Sequence, residues 1–167
     1  MAQVHPIPKG MHAITPSLVC SDAAKAIEFY KEAFGAVEVM RMPTPDGKHV
    51  WHAELRIGDS VFYVNDDLPN SVTHAPSPEH PATASIQLYV DDADGVFWRA
   101  TTEGAQSIKP VQEMFWGDRM GVVIDPFGHT WMISTHTRDL TEEELRRGAE
   151  EYARRASQED QRGAQHA

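Results

Sequence analysis

The chain has 167 residues, 41% of them apolar, and a formal net charge of −10 from 15 basic and 25 acidic residues. That length suits one domain or two small units sharing a core, and the acidic balance without a basic stripe argues against nucleic acid, because phosphate binding needs clustered cations. A single cysteine, Cys20, excludes an internal disulfide and suits a reducing cytoplasm, and no run reaches the ~18 apolar residues of a membrane span.

Residues 1–11 read as extended, and Met1–Gly10 has no apolar stretch of the kind a signal peptide needs, so no leader is expected there. Ile14–Cys20 is rich in strand formers and ends in Ser21-Asp22, an N-cap pair. Ala23, Ala26, Ile27, Tyr30 and Phe34 then recur at helical spacing, and Gly35 stops the helix. Val37–Met42 predicts a strand, and Pro45-Asp46-Gly47-Lys48 a turn. Val50–Ile57 alternates, with Trp51, Ala53, Leu55 and Ile57 on one face and Val50, His52, Glu54 and Arg56 on the other. Gly58-Asp59 predicts a two-residue hairpin, with Val61–Val64 as the returning strand.

Pro69, Pro76, Pro78 and Pro81 mark a linker. A second series follows: strand 85–90, helix 92–103, a strand near 106–109, strand 119–124, the turn Asp125-Pro126-Phe127-Gly128 and strand 130–135. Beyond Leu140, Thr141-Glu142-Glu143-Glu144 is a capping box. Leu145, Ala149, Tyr152 and Ala156 give the helix after it one thin apolar stripe. The expected organisation is a first module over 12–66, a linker over 67–83, a second module over 84–137, an amphipathic helix over 138–157 and a flexible tail over 158–167.

The two series are copies. Thr15-Pro-Ser-Leu-Val-Cys-Ser-Asp22 lies over Ser85-Ile-Gln-Leu-Tyr-Val-Asp-Asp92, 70 residues later (15 to 85). Gly47 and Gly58 fall on Gly117 and Gly128 at the same offset, and Gly35-Ala36 falls on Gly104-Ala105 one residue out of step. Each copy reads as strand, helix and three strands, and two such units can close around one cavity.

Longer motifs carry a family likeness. Pro6-Ile-Pro-Lys-Gly-Met-His-Ala-Ile-Thr-Pro-Ser-Leu18, Ala26-Ile-Glu-Phe-Tyr-Lys-Glu-Ala-Phe-Gly-Ala36, His52-Ala-Glu-Leu-Arg-Ile-Gly-Asp59 and Trp116-Gly-Asp-Arg-Met-Gly-Val-Val-Ile-Asp-Pro-Phe-Gly-His-Thr-Trp131 together resemble the PhnB-like branch of the vicinal oxygen chelate superfamily. The resemblance implies an α+β fold: two βαβββ modules forming an open, cup-shaped mixed β-sheet, the glyoxalase/bleomycin resistance fold, here with a C-terminal helix added. It also implies a small-molecule cavity and, since related proteins pair as twofold dimers, a homodimer. The superfamily holds glyoxalases, extradiol dioxygenases, fosfomycin-modifying enzymes and metal-free bleomycin-binding proteins, so the resemblance leaves the chemistry open.

Metal-dependent relatives place His, Glu or Gln at four equivalent points, on the first and last strand of each module. Carried across by the resemblance, those points fall on Thr15, Phe62, Ser85 and Met132. Phenylalanine has no donor atom, methionine is a soft thioether, and neutral hydroxyls bind divalent ions weakly. No metal and no other cofactor is expected. His52 and Glu54, two residues apart on one face of a strand, are the candidate proton-transfer pair; a solvated polar face is the alternative. His129 reads as a turn-capping residue, and Cys20, on the helix-facing side of the first strand, as a small buried hydrophobe.

Alternation places Pro16, Leu18, Cys20, Ile86, Leu88 and Val90 toward the helices. It leaves Thr15, Ser17, Val19, Ser85, Gln87 and Tyr89 on the concave side, where Phe62, Val64, Met132 and Ser134 join them. Phe115 and Trp116 are candidates for a lid or rim. The expected ligand-binding set is therefore Thr15, Ser17, Phe62, Val64, Ser85, Gln87, Tyr89, Phe115, Trp116 and Met132. Such a floor suits a drug-sized, partly aromatic molecule. The expected function is metal-independent small-molecule binding, with antibiotic resistance as one form of it, in a cytoplasmic homodimer that engages neither nucleic acid nor membrane. A lyase or isomerase using His52 and Glu54 is the alternative, and a metal-dependent glyoxalase or dioxygenase is disfavoured.

Overall fold

The computed structural model describes residues 4–164. In the first module, β1 (Ser17–Cys20) runs into α1 (Ala23–Phe34), followed by β2 (Val37–Pro43), β3 (Val50–Ile57) and β4 (Ser60–Asp66). The second repeats the order with β5 (Ser85–Tyr89), α2 (Ala93–Thr102), β6 (Gln106–Glu113), β7 (Asp118–Ile124) and β8 (Thr130–His136). A third helix, α3 (Glu142–Ala164), follows. Residues 67–83 form turns and loop between the modules. Among the described residues no helix is long and apolar enough to cross a membrane.

Each module is a four-stranded mixed sheet, ordered β1-β4-β3-β2 in the first and β5-β8-β7-β6 in the second. β1 pairs parallel with β4, and β5 with β8; the other pairs are antiparallel. The helix in each unit makes the crossover that a parallel pair requires. It also leaves the first strand of each module at a sheet edge, paired on one side only.

Three elements differ most from the sequence-based expectation. β1 starts at Ser17 rather than Ile14, because Pro16 has no N–H to give the ladder, although its carbonyl accepts from Tyr63 N at 2.8 Å. β6 runs on to Glu113 through Pro110; as an edge strand with an irregular register between Lys109 and Gln112, it tolerates a missing donor. The C-terminal helix starts at Glu142, where Thr141 Oγ1 and the Glu144 carboxylate cap each other, not at 138. It continues to Ala164, across most of the segment expected as a flexible tail, with no proline to stop it; residues 165–167 lie outside the described residues.

α1 forms where the periodicity places it. The Asp22 side chain accepts from Lys25 N at 3.0 Å, and Gly35 closes the helix at φ 69°, a left-handed conformation that glycine takes without strain. Its buried face is Ala23, Ala26, Ile27, Phe29, Tyr30, Ala33 and Phe34. Asp66, buried at the end of β4, accepts from Ala23 N at 2.7 Å and Val50 N at 2.6 Å, so one carboxylate pins the start of α1 to the start of β3.

The core crosses from one module to the other. Trp131 of β8 is 1% exposed, and its ring lies 4.5 Å from Phe34, 5.4 Å from Tyr30 and 6.0 Å from Phe62, measured between centroids. Truncating a residue so placed costs about 3–5 kcal/mol. The edge of β1 is covered from the other module as well, because His129 Nε2 donates to Val19 O at 3.0 Å.

Candidate binding cleft

Where the modules part, they leave a cleft of about 600 Å³. One wall comes from the first module: His12, Ile14 and Pro16 ahead of β1, and Ile57–Phe62 of the β3–β4 hairpin. The other is Ile86–Tyr89 of β5, together with Trp131. Four consecutive residues of β5 reach the cleft because β5 is an edge strand, so the space runs along its free side rather than over one face of it.

Two polar side chains on β5 are held in place. Gln87 Nε2 donates to Ser134 Oγ at 2.6 Å, and Tyr89 Oη donates to Asp118 Oδ2 at 2.9 Å. Asp118, 3% exposed, also accepts from Trp116 Nε1 at 3.0 Å and His136 Nδ1 at 2.8 Å. Burial opposes ionisation of this carboxyl, but the bonds from His136, Tyr89 and Trp116 outweigh it and hold it below the usual carboxylate range. The bond to Asp118, followed by that to Asp139, raises His136 above its ordinary value, and the bond to Asp118 raises Tyr89.

Of the expected ligand-binding residues, Phe62, Gln87 and Tyr89 line this cleft. Ser17, Ser85 and Met132 lie on the open sheet faces, with Ser85 Oγ 3.4 Å from Met132 Sδ. Thr15 is half-buried just before β1. Val64 is fully buried beneath α1, and Phe62 meets Tyr30 and Trp131 rather than the open face. The ladder explains both placements. Ser17 pairs with Tyr63 and Gln87 with Met132, so Met132 corresponds to Tyr63 (63 to 132, an offset of 69) and Phe62 to Trp131. The β3–β4 turn is Gly58-Asp59 whereas the β7–β8 turn spans residues 125–129, so one fixed offset cannot hold across both. A one-residue slip exchanges the faces of a strand.

Phe115 and Trp116, ring centroids 4.9 Å apart, do not line the cleft. Phe115 packs beneath α3 against Tyr152, ring centroids 5.6 Å apart, while Trp116 bonds Asp118. Pro16, Ile86 and Leu88, which alternation points toward the helices, line the cleft, as do Ile14 and Trp131, for which the sequence carries no ligand signal. The usable signal was connectivity: a βαβββ unit with a parallel β1–β4 pair leaves its first strand at an edge.

His52 and Glu54 sit together on the open face of the first sheet, Nε2 to Oε1 3.7 Å, with Tyr63 against the His52 ring. Neither lines the cleft. The four points carried across by the resemblance, Thr15, Phe62, Ser85 and Met132, offer no carboxylate or imidazole and do not make a divalent-ion donor set. Among the described residues no group of three or more His, Cys, Asp or Glu could hold an ion.

The Glyoxalase/Bleomycin resistance protein/Dioxygenase superfamily model matches residues 10–133. The uncharacterized protein Rv0887c of Mycobacterium tuberculosis is 42% identical over 136 residues, 80% of this chain and 79% of that protein. Among solved structures, TioX from Micromonospora sp. ML1 is 28% identical with a TM-score of 0.60, covering 75% of this chain and 98% of that one. A PhnB protein from Bacillus cereus, 18% identical with a TM-score of 0.59 over 74% of this chain and 99% of its own, shares the fold. The chain belongs to the glyoxalase/bleomycin resistance protein/dioxygenase superfamily.

Proposed function

We propose that this protein binds a small, partly aromatic molecule in the cleft between its modules, in the cytoplasm and without a metal ion. The chemistry of the cleft carries the reading: about 600 Å³ walled by Ile14, Pro16, Phe62, Ile86, Leu88 and Trp131, with His12, Asp59, Ser60, Gln87 and Tyr89 as its polar members. In a site of that size, area burial supplies affinity and a few polar groups orient the ligand. Sequestration of an antibiotic is one form such binding takes in the family.

Anilinonaphthalene sulfonate is a suitable first probe. Its fluorescence should rise saturably with the wild-type protein. Ile14 is 85% exposed, so Ile14→Asp leaves the core intact. It should weaken the probe about tenfold by removing apolar contact, at unchanged melting temperature. Equal affinity in both proteins would place the probe elsewhere. Stoichiometric nickel, zinc, manganese or iron in purified protein would overturn metal independence.

The 3.7 Å approach of His52 to Glu54 supports a second reading, proton-transfer catalysis on the open face. Glu54→Gln separates the two: a turnover lost while the probe still binds favours the enzyme. A homodimer accompanies either reading. Edge strand β2 carries Val37, Val39 and Met42 at 50–54% exposure, a surface that a partner would cover. Sedimentation showing only monomer at micromolar concentration counts against it.

A further inference from the structure

Tyr89 belongs to two cavities. It lines the 600 Å³ cleft and also a second, more open pocket of about 360 Å³ with Val90, Asp91, Thr135 and His136. Among the described residues Tyr89, the last residue of β5, is the one lining both. It is 59% exposed, so little packing holds the ring. What fixes it is its tip, through the 2.9 Å bond from Oη to Asp118 Oδ2.

Asp118 is built to be an immobile anchor. It is 3% exposed, and Trp116 Nε1 and His136 Nδ1 hold its two oxygens from different elements. His136 is tied in turn to Asp139 at 3.1 Å. An exposed ring on a rigid charged acceptor has two arrangements available, tethered and swung away, and a ligand that fits only one shifts the balance between them.

We infer that Tyr89 is the specificity-determining residue of the cleft, a partition latched by Asp118 that limits the ligand to what the 600 Å³ compartment holds. With the latch closed, a single fused-ring ligand is accommodated. A ligand of twice that size needs the second pocket and must displace the Tyr89 ring. Asp118 acts through Tyr89 and is a positioning residue. The inference rests on the cleft being the binding site.

Two probes of one chemistry and different size test it: anilinonaphthalene sulfonate and its covalent dimer, bis-anilinonaphthalene sulfonate. The quantity to measure is the ratio of their dissociation constants, because general loosening of the fold moves both together. Tyr89→Ala should favour the dimer by about tenfold relative to the monomer, from the added apolar contact. Tyr89→Phe keeps the ring and removes only the tether; it should move the ratio the same way by a smaller factor. Asp118→Ala, which removes the acceptor, should move the ratio in the same direction, and adding Tyr89→Phe to it should change nothing further, because the Tyr89 tether is already gone. A ratio unchanged in Tyr89→Phe and Tyr89→Ala, in proteins that bind the monomeric probe, overturns the gate and leaves the cleft standing. Wild type binding neither probe defeats the cleft reading; the gate then survives only if Tyr89→Ala binds the dimer, and falls if it does not.

Discussion

Tyr30 of α1 donates its hydroxyl proton to Asp125 of the β7–β8 turn at 2.8 Å, which ties the helix of the first module to a hairpin of the second. Asp125 is 3% exposed and fully engaged. Trp131 Nε1 shares the same oxygen at 2.9 Å, and the backbone N–H groups of Phe127 and His129 reach the other at 2.9 Å each. One buried carboxylate therefore shapes its own turn, orients the central tryptophan and receives the neighbouring module. Burial, then the Asp125 charge, push the Tyr30 hydroxyl well above its ordinary value, so it remains a donor.

The first prediction follows from that junction. Tyr30→Phe keeps the ring stack and removes one bond to a charged acceptor, at a cost of about 1.5–3 kcal/mol. Asp125→Ala strands the Trp131 and Tyr30 donors in the core and should cost more. Urea unfolding measures both, and a Tyr30→Phe protein as stable as wild type would remove Asp125 as the link.

Cys20 lies beside this junction, its Sγ 3.9 Å from Tyr30 Oη and 3.8 Å from His129 Nε2. Burial pushes the thiol up to about 12, opposed by the Tyr30 bond and reinforced by the charges of Asp125, Asp66 and Asp22. A thiol in that condition is not a nucleophile at neutral pH. The expected outcome is no reaction with a chromogenic disulfide reagent at pH 8 until the protein is unfolded, then one equivalent. Prompt labelling of the native protein would contradict this placement.

Much of this was legible in the residues. The internal repeat marked both modules, the Asp22 cap and Gly35 bounded α1, and the strict alternation of Val50–Ile57 matched β3 end to end. Registration across a turn was less accessible. Gly58-Asp59 and the segment 125–129 differ in length, and the displacement moved Phe62 and Val64 from the open face to the core. The cleft itself was hidden for another reason. Pro16, Ile86 and Leu88 look like ordinary helix-facing residues of their own strands, and only the packing of two modules exposes the free side of β5 beside a hairpin from far away in sequence.

Docking of α3 provides a third prediction. A Cβ at Gly148 would come within 3.1 Å of Phe115 Cβ and 3.2 Å of Phe115 O, so the helix approaches the 113–116 segment as closely as glycine allows. Tyr152 packs against the Phe115 ring, centroids 5.6 Å apart. Gly148→Leu cannot fit there without lifting the helix and should expose the segment around Arg138–Thr141 to limited proteolysis. Among the described residues none of α3 belongs to the core of the modules, so their cooperative unfolding should persist. Unchanged protease resistance would show that α3 is held elsewhere.

The Asp118–His136 pair predicts a pH profile. The bond to Asp118 first, and that to Asp139 second, raises His136 from its ordinary 6.5, so it binds its proton more tightly in the fold than in the unfolded chain. Its contribution to stability is complete below about pH 6.5 and is lost as pH rises through the raised native value. Asp118 behaves oppositely. Lowered from 3.8 by bonds that outweigh its burial, it contributes fully above that pH and loses its contribution as pH falls through the native value. The pair therefore stabilises most between these limits, and stability should decline on its account as pH rises above about 6.5. Asp118→Asn removes the charge while leaving an acceptor, so His136 should titrate closer to 6.5 by proton NMR, and the alkaline decline should flatten. A His136 titration identical in wild type and Asp118→Asn would mean that Asp118 does not hold it, and the anchor beneath Tyr89 would lose one of its two other supports.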